Sequence, residues 1–254
     1  MHDHRAYFRF YEELNDFLPP GKRKREFEYA FDGAPAIKDP VEALGVPHTE
    51  VDLILVNGVS VDFTCRLQPE DHVSVYPVFE QLDISPLVRL RPKPLRVIKF
   101  ILDVQLGTLS RLLRLLGFDT LYRNDFTDRE IVQIARDEHR IILTRDRGLL
   151  KRKEVVRGFW IRSIKAESQI REVLGRLDLF DRVRPFKRCI ICNDTVLPVS
   201  KEEIRDRLPA RTRRYFHKYV RCPSCGRIYW PGSHYERMLR RIQQWLQEKN
   251  TENP

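Results

Sequence analysis

Four of the five cysteines stand in two CxxC pairs, Cys189/Cys192 and Cys222/Cys225, with 29 residues between the pairs. At this spacing one tight turn presents both sulfurs of a pair to a single ion, and two such turns complete a tetrahedron. Any fold of the chain must therefore bring residues 189–192 and 222–225 together. The N-terminal MHDHRAYFRFYEELND has no apolar signal-peptide core, so a cytoplasmic, reducing compartment is expected. There, such pairs serve as metal ligands more often than as disulfides. The expectation is a structural zinc on Cys189, Cys192, Cys222 and Cys225, with a redox dithiol as the rival. The interval exceeds ordinary ribbon spacing, and KEEIRDRLPARTRRYFHKYVR reads as an insertion. Gly226 suits the second turn. His217 and His234 read as surface or turn residues, and Cys65 as a small core residue on a strand.

Charge is unevenly distributed. Residues 1–85 hold 8 Lys+Arg against 16 Asp+Glu, while residues 86–254 hold 38 against 20, within a total of +10. A basic region of this strength favours a polyanionic partner. The longest apolar runs, such as Leu53–Val56 and Ile141–Leu143, are too short to span a membrane.

The acidic region reads as β-rich. AYFRFY and EFEYAF are strand patterns; in the second, Phe27, Tyr29 and Phe31 share one face and Glu26 and Glu28 the other. Asp39-Pro40 starts a short helix that ends near Gly45. VDLILV-NG-VSVDFT is a hairpin pattern, because Asn-Gly tolerates the positive φ of a tight turn, and DHVSVYPV adds a last strand. The order resembles the ubiquitin-like β-grasp of small sulfur-carrier proteins. Those carriers end in Gly-Gly, whereas this segment continues through Phe79-Glu80-Gln81. A docking or stabilising role, with a possible protein partner, is expected instead. Pro86, Pro92 and Pro94 then mark an extended linker.

Strands and helices alternate next. LRVIKFILDV, DTLYR, RIILTRD and VRGFWIRS read as strands. LGTLSRLLRLLG, REIVQIARDEH and SQIREVLGRLDLF read as helices. Leu109, Leu112, Leu113 and Leu116 form one stripe that Gly117 stops. Thr127-Asp128-Arg129-Glu130 is a capping box. This alternation predicts a parallel sheet covered by helices. The carboxyl ends of its strands line a ligand crevice, and there the sequence places Asp103, Asp125, Asp128 and Asp146. Clustered carboxylates require a cation, and oxygen-only ligands suit Mg²⁺ or Mn²⁺. Each acid also has a local alternative. Asp103 could cap the following helix, Asp128 could complement a helix dipole, and Asp146 could be a turn residue held by its arginine neighbours. Asp125 ranks below Asp128.

LDVQLGTLSRLLRLLGFDT, FTDREIVQIARDEHRIILTRD, RCIICN and CPSCGRIYWPGSHY together resemble the Mut7-C ribonuclease family. That family joins a PIN-like nuclease fold to a C-terminal zinc ribbon, and many members carry an N-terminal ubiquitin-like domain, matched here by FYEELNDFLP and GVPHTEVDLILVNG. The resemblance implies an α/β PIN-like parallel-sheet domain (97–183), preceded by an α+β β-grasp domain (1–82) and a linker (83–96), and followed by a small zinc ribbon with a basic insertion and a C-terminal helix (184–254). It implies a metal-dependent ribonuclease whose catalytic metal ligands match Asp103, Asp128 and Asp146. A fourth acid is common in PIN nucleases; Glu154 and Glu167 are candidates outside any clear motif. Gln105 excludes an Asp-x-Asp phosphatase pattern.

For RNA, expected to be single-stranded, the candidate contacts are Arg111, Arg114, Arg145, Arg147, Arg213, Arg214, Tyr215 and Lys218. Cations follow phosphates and aromatics stack on unpaired bases. The other reading of the insertion has its aromatics, Tyr215, Phe216 and Tyr219, packing a local core. The alternative function is a non-catalytic RNA-binding adaptor with a degenerate site; a third is a doubly wound domain phosphorylated on an Asp. The apolar stripe Met238, Leu239, Ile242, Trp245 and Leu246 predicts a terminal helix packed on the rest of the protein.

Overall fold

A computed structural model describes residues 3–77, 90 and 97–247. The expected linker, 83–96, lies outside the described residues except for Leu90. In chain order the strands and helices are β1 (His4–Phe10), β2 (Phe27–Phe31), α1 (Lys38–Ala43), β3 (Val51–Val56), β4 (Val59–Val61), β5 (His72–Pro77), β6 (Lys99–Leu102), α2 (Gly107–Leu115), β7 (Asp119–Leu121), α3 (Asp128–Asp137), β8 (Ile141–Thr144), α4 (Arg147–Leu150), β9 (Gly158–Trp160) and α5 (Ala166–Arg176). They continue as β10 (Leu197–Val199), α6 (Lys201–Ile204), α7 (Ala210–Tyr215), β11 (Tyr219–Arg221), β12 (Ile228–Tyr229) and α8 (Ser233–Gln247). The chain forms two compact units, each from two stretches: Met1–Val97 with Thr127–Trp160, and Ile98–Phe126 with Ile161–Pro254.

The first unit contains a mixed five-stranded sheet in the order β2-β1-β5-β3-β4, with β1 and β5 parallel. Alternation along β1 turns Ala6, Phe8 and Phe10 inward, where they meet Ile37, Val41, Ile54 and Val75. Each such aromatic contributes about 1.5–3 kcal/mol by leaving water. Asn57 and Gly58 have φ of 51° and 83°, and the hairpin registers Val56 on Val59, as the sequence predicts. Two details differ. The hairpin's second strand stops at Val61, because Asp62 Oδ1 accepts from Thr64 N at 2.8 Å and bends the chain. Cys65 therefore lies beyond the strand, half-buried against the core. Helix α1 opens at Lys38 rather than at Pro40. Pro40 is thus the third helical residue, still within the first turn, whose N–H groups have no intrahelical partner.

The same unit holds α3, β8, α4 and β9. The capping box is complete: Thr127 N donates to Glu130 Oε2 at 2.8 Å, and Glu130 N to Thr127 Oγ1 at 3.3 Å. Helix α3 buries Ile131, Val132 and Ala135, and β8 runs parallel to β9.

In the second unit β6 runs parallel to β7, and α2 packs against α5, with Leu109 and Leu113 of α2 and Ile170 and Val173 of α5 buried. Gly117 ends α2 at φ 95°, and a Cβ there would sit 2.1 Å from Arg184 O. Both the backbone angle and the space therefore demand glycine. Strands β10, β11 and β12 form an antiparallel sheet between and after the two CxxC turns. The insertion folds as α6 and α7, and its Ile204, Leu208, Phe216 and Tyr219 pack a small core of their own with Trp230. Helix α8 buries Ile242 and Trp245. Among the described residues no helix is long and apolar enough to cross a membrane.

Candidate metal centres

The sulfurs of Cys189, Cys192, Cys222 and Cys225 all lie within 4.8 Å of one another. Cys189 and Cys225 are 3.6 Å apart, and Cys192 and Cys222 3.3 Å. A tetrahedron with zinc–sulfur bonds of about 2.3 Å has edges of about 3.8 Å, so the four thiols are positioned to hold a metal ion, and their softness and geometry fit structural zinc. The two turns match each other. Asn193 N donates to Cys189 O at 3.0 Å, and Gly226 N to Cys222 O at 2.9 Å. Both residues adopt the left-handed region, with φ of 73° and 67°.

Burial alone would raise the Cys189 thiol, but the amides of Cys192 and Ile191 and the Tyr229 hydroxyl, 3.0 Å from its sulfur, outweigh it and bring it down to about 6. Burial and bonding to the other sulfurs push Cys192 up to about 12. A divalent ion replaces these shared protons when it binds. His217 and His234 are exposed and outside the group, as expected.

These cysteines are the one group of three or more potential metal-ligating side chains among the described residues, and the aspartates are not part of it. Asp103 follows β6, is buried, and its Oδ1 accepts from Val104 N at 2.6 Å. Asp146 follows β8 and caps α4, accepting from Gly148 N at 2.7 Å. Asp128 is the first residue of α3 and accepts from Arg152 at 2.7 Å. Asp125 forms a two-point pair with Arg123, at 2.9 and 2.8 Å, which holds its carboxyl below the usual range. Of the candidate fourth acids, Glu154 is exposed and Glu167 pairs with Arg241 of α8.

The candidate RNA-binding residues divide. Arg111, Arg214, Tyr215 and Lys218 are exposed, and Arg145 and Arg213 half-buried. Arg214 lies over the Tyr215 ring. Phe216 and Tyr219 instead pack the local core.

Arg114 and Arg147 differ from expectation. Arg114 is 4 % exposed; its Nε donates to Thr120 O at 2.9 Å and its Nη1 to Ile191 O at 2.5 Å. A guanidinium committed to buried carbonyls is not offered to phosphate. Arg147 lies over the rings of Trp160 and Phe17, at 4.0 and 5.2 Å.

Asn193, Arg188, Tyr122 and Trp160 were not anticipated. Only Asn193 left a signal: it occupies the position after its CxxC that Gly226 occupies after the other.

A family model described as the Mut7-C RNAse domain matches residues 98–242, and one described as Mut7-C ubiquitin matches residues 3–83. No curated protein and no solved structure matches the chain.

Proposed function

The chain belongs to the Mut7-C RNAse domain family, and from that premise we propose that it is a Mg²⁺- or Mn²⁺-dependent ribonuclease that hydrolyses RNA phosphodiester bonds on a PIN-like domain. The family match over residues 98–242 is the observation that carries this reading. Asp103, Asp128 and Asp146 are the proposed metal ligands. Asp103 follows β6, Asp146 follows β8 and Asp128 opens α3, and their hard oxygen donors suit either ion. When bound, such an ion polarises the phosphate and acidifies water. The chain's own part is to hold the carboxylates and to orient the substrate. Asp103 is fixed by its bond to the Val104 amide. Arg111 and Arg145 supply cations for the flanking phosphates. The four cysteines hold a structural zinc, and the insertion beside them grips single-stranded RNA through Arg213, Arg214, Lys218 and the exposed Tyr215.

The test is Asp103→Asn, which keeps an oxygen for the Val104 amide. Mn²⁺-dependent cleavage of labelled RNA should be lost while thermal stability and RNA binding are retained. Undiminished cleavage by pure variant protein sinks the assignment.

The second reading is an RNA-binding adaptor with a degenerate site. The Asp128–Arg152 ion pair and the commitment of Glu167 to Arg241 favour it. It predicts RNA binding with no Mg²⁺- or Mn²⁺-dependent product.

A further inference from the structure

The first cysteine turn is tied to β7 by side chains that do not bind metal. Asn193 reaches out of the turn. Its Oδ1 accepts from Thr120 N at 2.8 Å, and its Nδ2 donates to Asp119 Oδ1 at 2.9 Å. Arg188, immediately before Cys189, donates to Asn193 O at 2.8 Å and pairs with Asp119 Oδ2 at 3.4 Å. Buried Arg114 joins Thr120 O to Ile191 O inside the turn. Both backbone groups of Thr120, which is fully buried, are thus satisfied by Asn193 and Arg114. The turn stands where a further strand would pair. Thr120 is shielded from solvent while the turn is in place, so these bonds are what satisfies its backbone groups.

Strand β7 is tied in turn to the segment that follows β6. Tyr122, just past β7, donates its hydroxyl to Val104 O at 3.0 Å. Val104 is the residue whose amide holds Asp103. The ring fits there because residue 107 has no side chain: a Cβ on Gly107 would lie 2.6 Å from the Tyr122 oxygen. Leu106 N closes the turn on Asp103 O at 2.9 Å.

We propose that the four-cysteine site and the Asp103 turn are coupled, with Asn193 and Tyr122 as the positioning residues. Metal on the cysteines fixes the Asn193 turn, the turn orders β7, and β7 orders residues 103–106 through Tyr122. The first part needs only the metal reading of the cysteines. The catalytic consequence rests on the ribonuclease reading above.

Amide hydrogen exchange on the full chain separates the two. Removing zinc with a chelator should lower protection of the Thr120 and Leu106 amides together, by at least ten-fold, while Ile170 in α5 changes less. Asn193→Gly keeps the left-handed backbone but removes the side chain. It should retain zinc yet show low Thr120 protection with the metal bound. Tyr122→Phe should retain zinc and Thr120 protection, lose Leu106 protection, and raise several-fold the Mn²⁺ concentration needed for half-maximal RNA cleavage. Absence of cleavage in the wild type would end the ribonuclease reading and leave the exchange results to judge the coupling. The coupling is overturned if chelation leaves Leu106 unchanged, or if zinc-loaded Asn193→Gly protects Thr120 as the wild type does.

Discussion

Glu50 offers the sharpest energetic test of how the N-terminal sheet is held to residues 127–160. It is fully buried, and its Oε1 accepts from Trp160 N at 2.6 Å. The same junction carries His48 Nε2 to Val155 O at 2.9 Å, Lys151 Nζ to Glu42 O at 2.7 Å, and the Phe17 and Trp160 rings 4.7 Å apart. Glu50→Ala strands the Trp160 amide, at about 1–3 kcal/mol. Removing the apolar part of the side chain adds about 1 kcal/mol. The expected loss is therefore about 2–4 kcal/mol, which lowers the melting temperature by roughly 6–15 °C in a unit of this size. Glu50→Gln keeps an acceptor oxygen for the Trp160 amide, so its loss should be smaller, about 1 kcal/mol. Urea unfolding followed by tryptophan fluorescence and circular dichroism measures both variants, with coincident transitions licensing a two-state fit. Equal losses for Ala and Gln, or no loss for Ala, would refute the claim that this carboxylate supports the Trp160 amide. The junction also bears on domain deletion. Removing residues 1–85 would take away Glu50, His48 and Phe17 together, so a change in RNA affinity would not isolate the acidic surface. Point substitutions on exposed acids would.

Two further outcomes follow from the region of the four cysteines. Tyr215 is 62 % exposed, and replacing it with Ala should weaken binding of unstructured RNA by about 1–3 kcal/mol if it stacks on a base; Lys218→Ala should instead reduce the salt slope of binding by about one phosphate contact. Unchanged affinity and slope in filter-binding titrations would remove the insertion from the RNA interface. The cysteines carry a pH dependence. Cys189 is lowered from 9.0 to about 6 in the fold, so its contribution to stability is complete above its unfolded value and is lost as pH falls through about 6. Metal-free protein should lose stability on acidification across that window, and zinc release to a colorimetric chelator should accelerate below it. Release that is independent of pH from 8 to about 5 would contradict thiolate ligation, since a ligand must be deprotonated to hold the ion.

The parts of the fold readable in sequence are those in which burial repeats along the chain. Strand β1 alternates Ala6, Phe8 and Phe10, and α2 carries Leu109, Leu113 and Leu116 at helical spacing, because one face of each must leave water. The CxxC pairs were readable for a different reason: ligand chemistry fixes their spacing. Helix α4 was not, since four residues hold no period and Asp146 alone starts it. Arg114 shows why residue type misleads. It lies one turn from exposed Arg111, so both were expected to face phosphate, yet its partners are carbonyls of Thr120 and Ile191, which every residue possesses and no sequence pattern marks.

Asn193 lies between these cases. A left-handed residue must follow each CxxC turn, and glycine meets that demand without strain. The second turn uses glycine. The first uses asparagine, which tolerates the angle and brings a side chain with both a donor and an acceptor. The backbone requirement alone does not call for that side chain. It acts instead on Asp119 and Thr120, the latter 73 positions away in sequence. At the left-handed position after the second cysteine, the asparagine of the first turn marks the one that is joined to β7, and through it to the segment bearing Asp103.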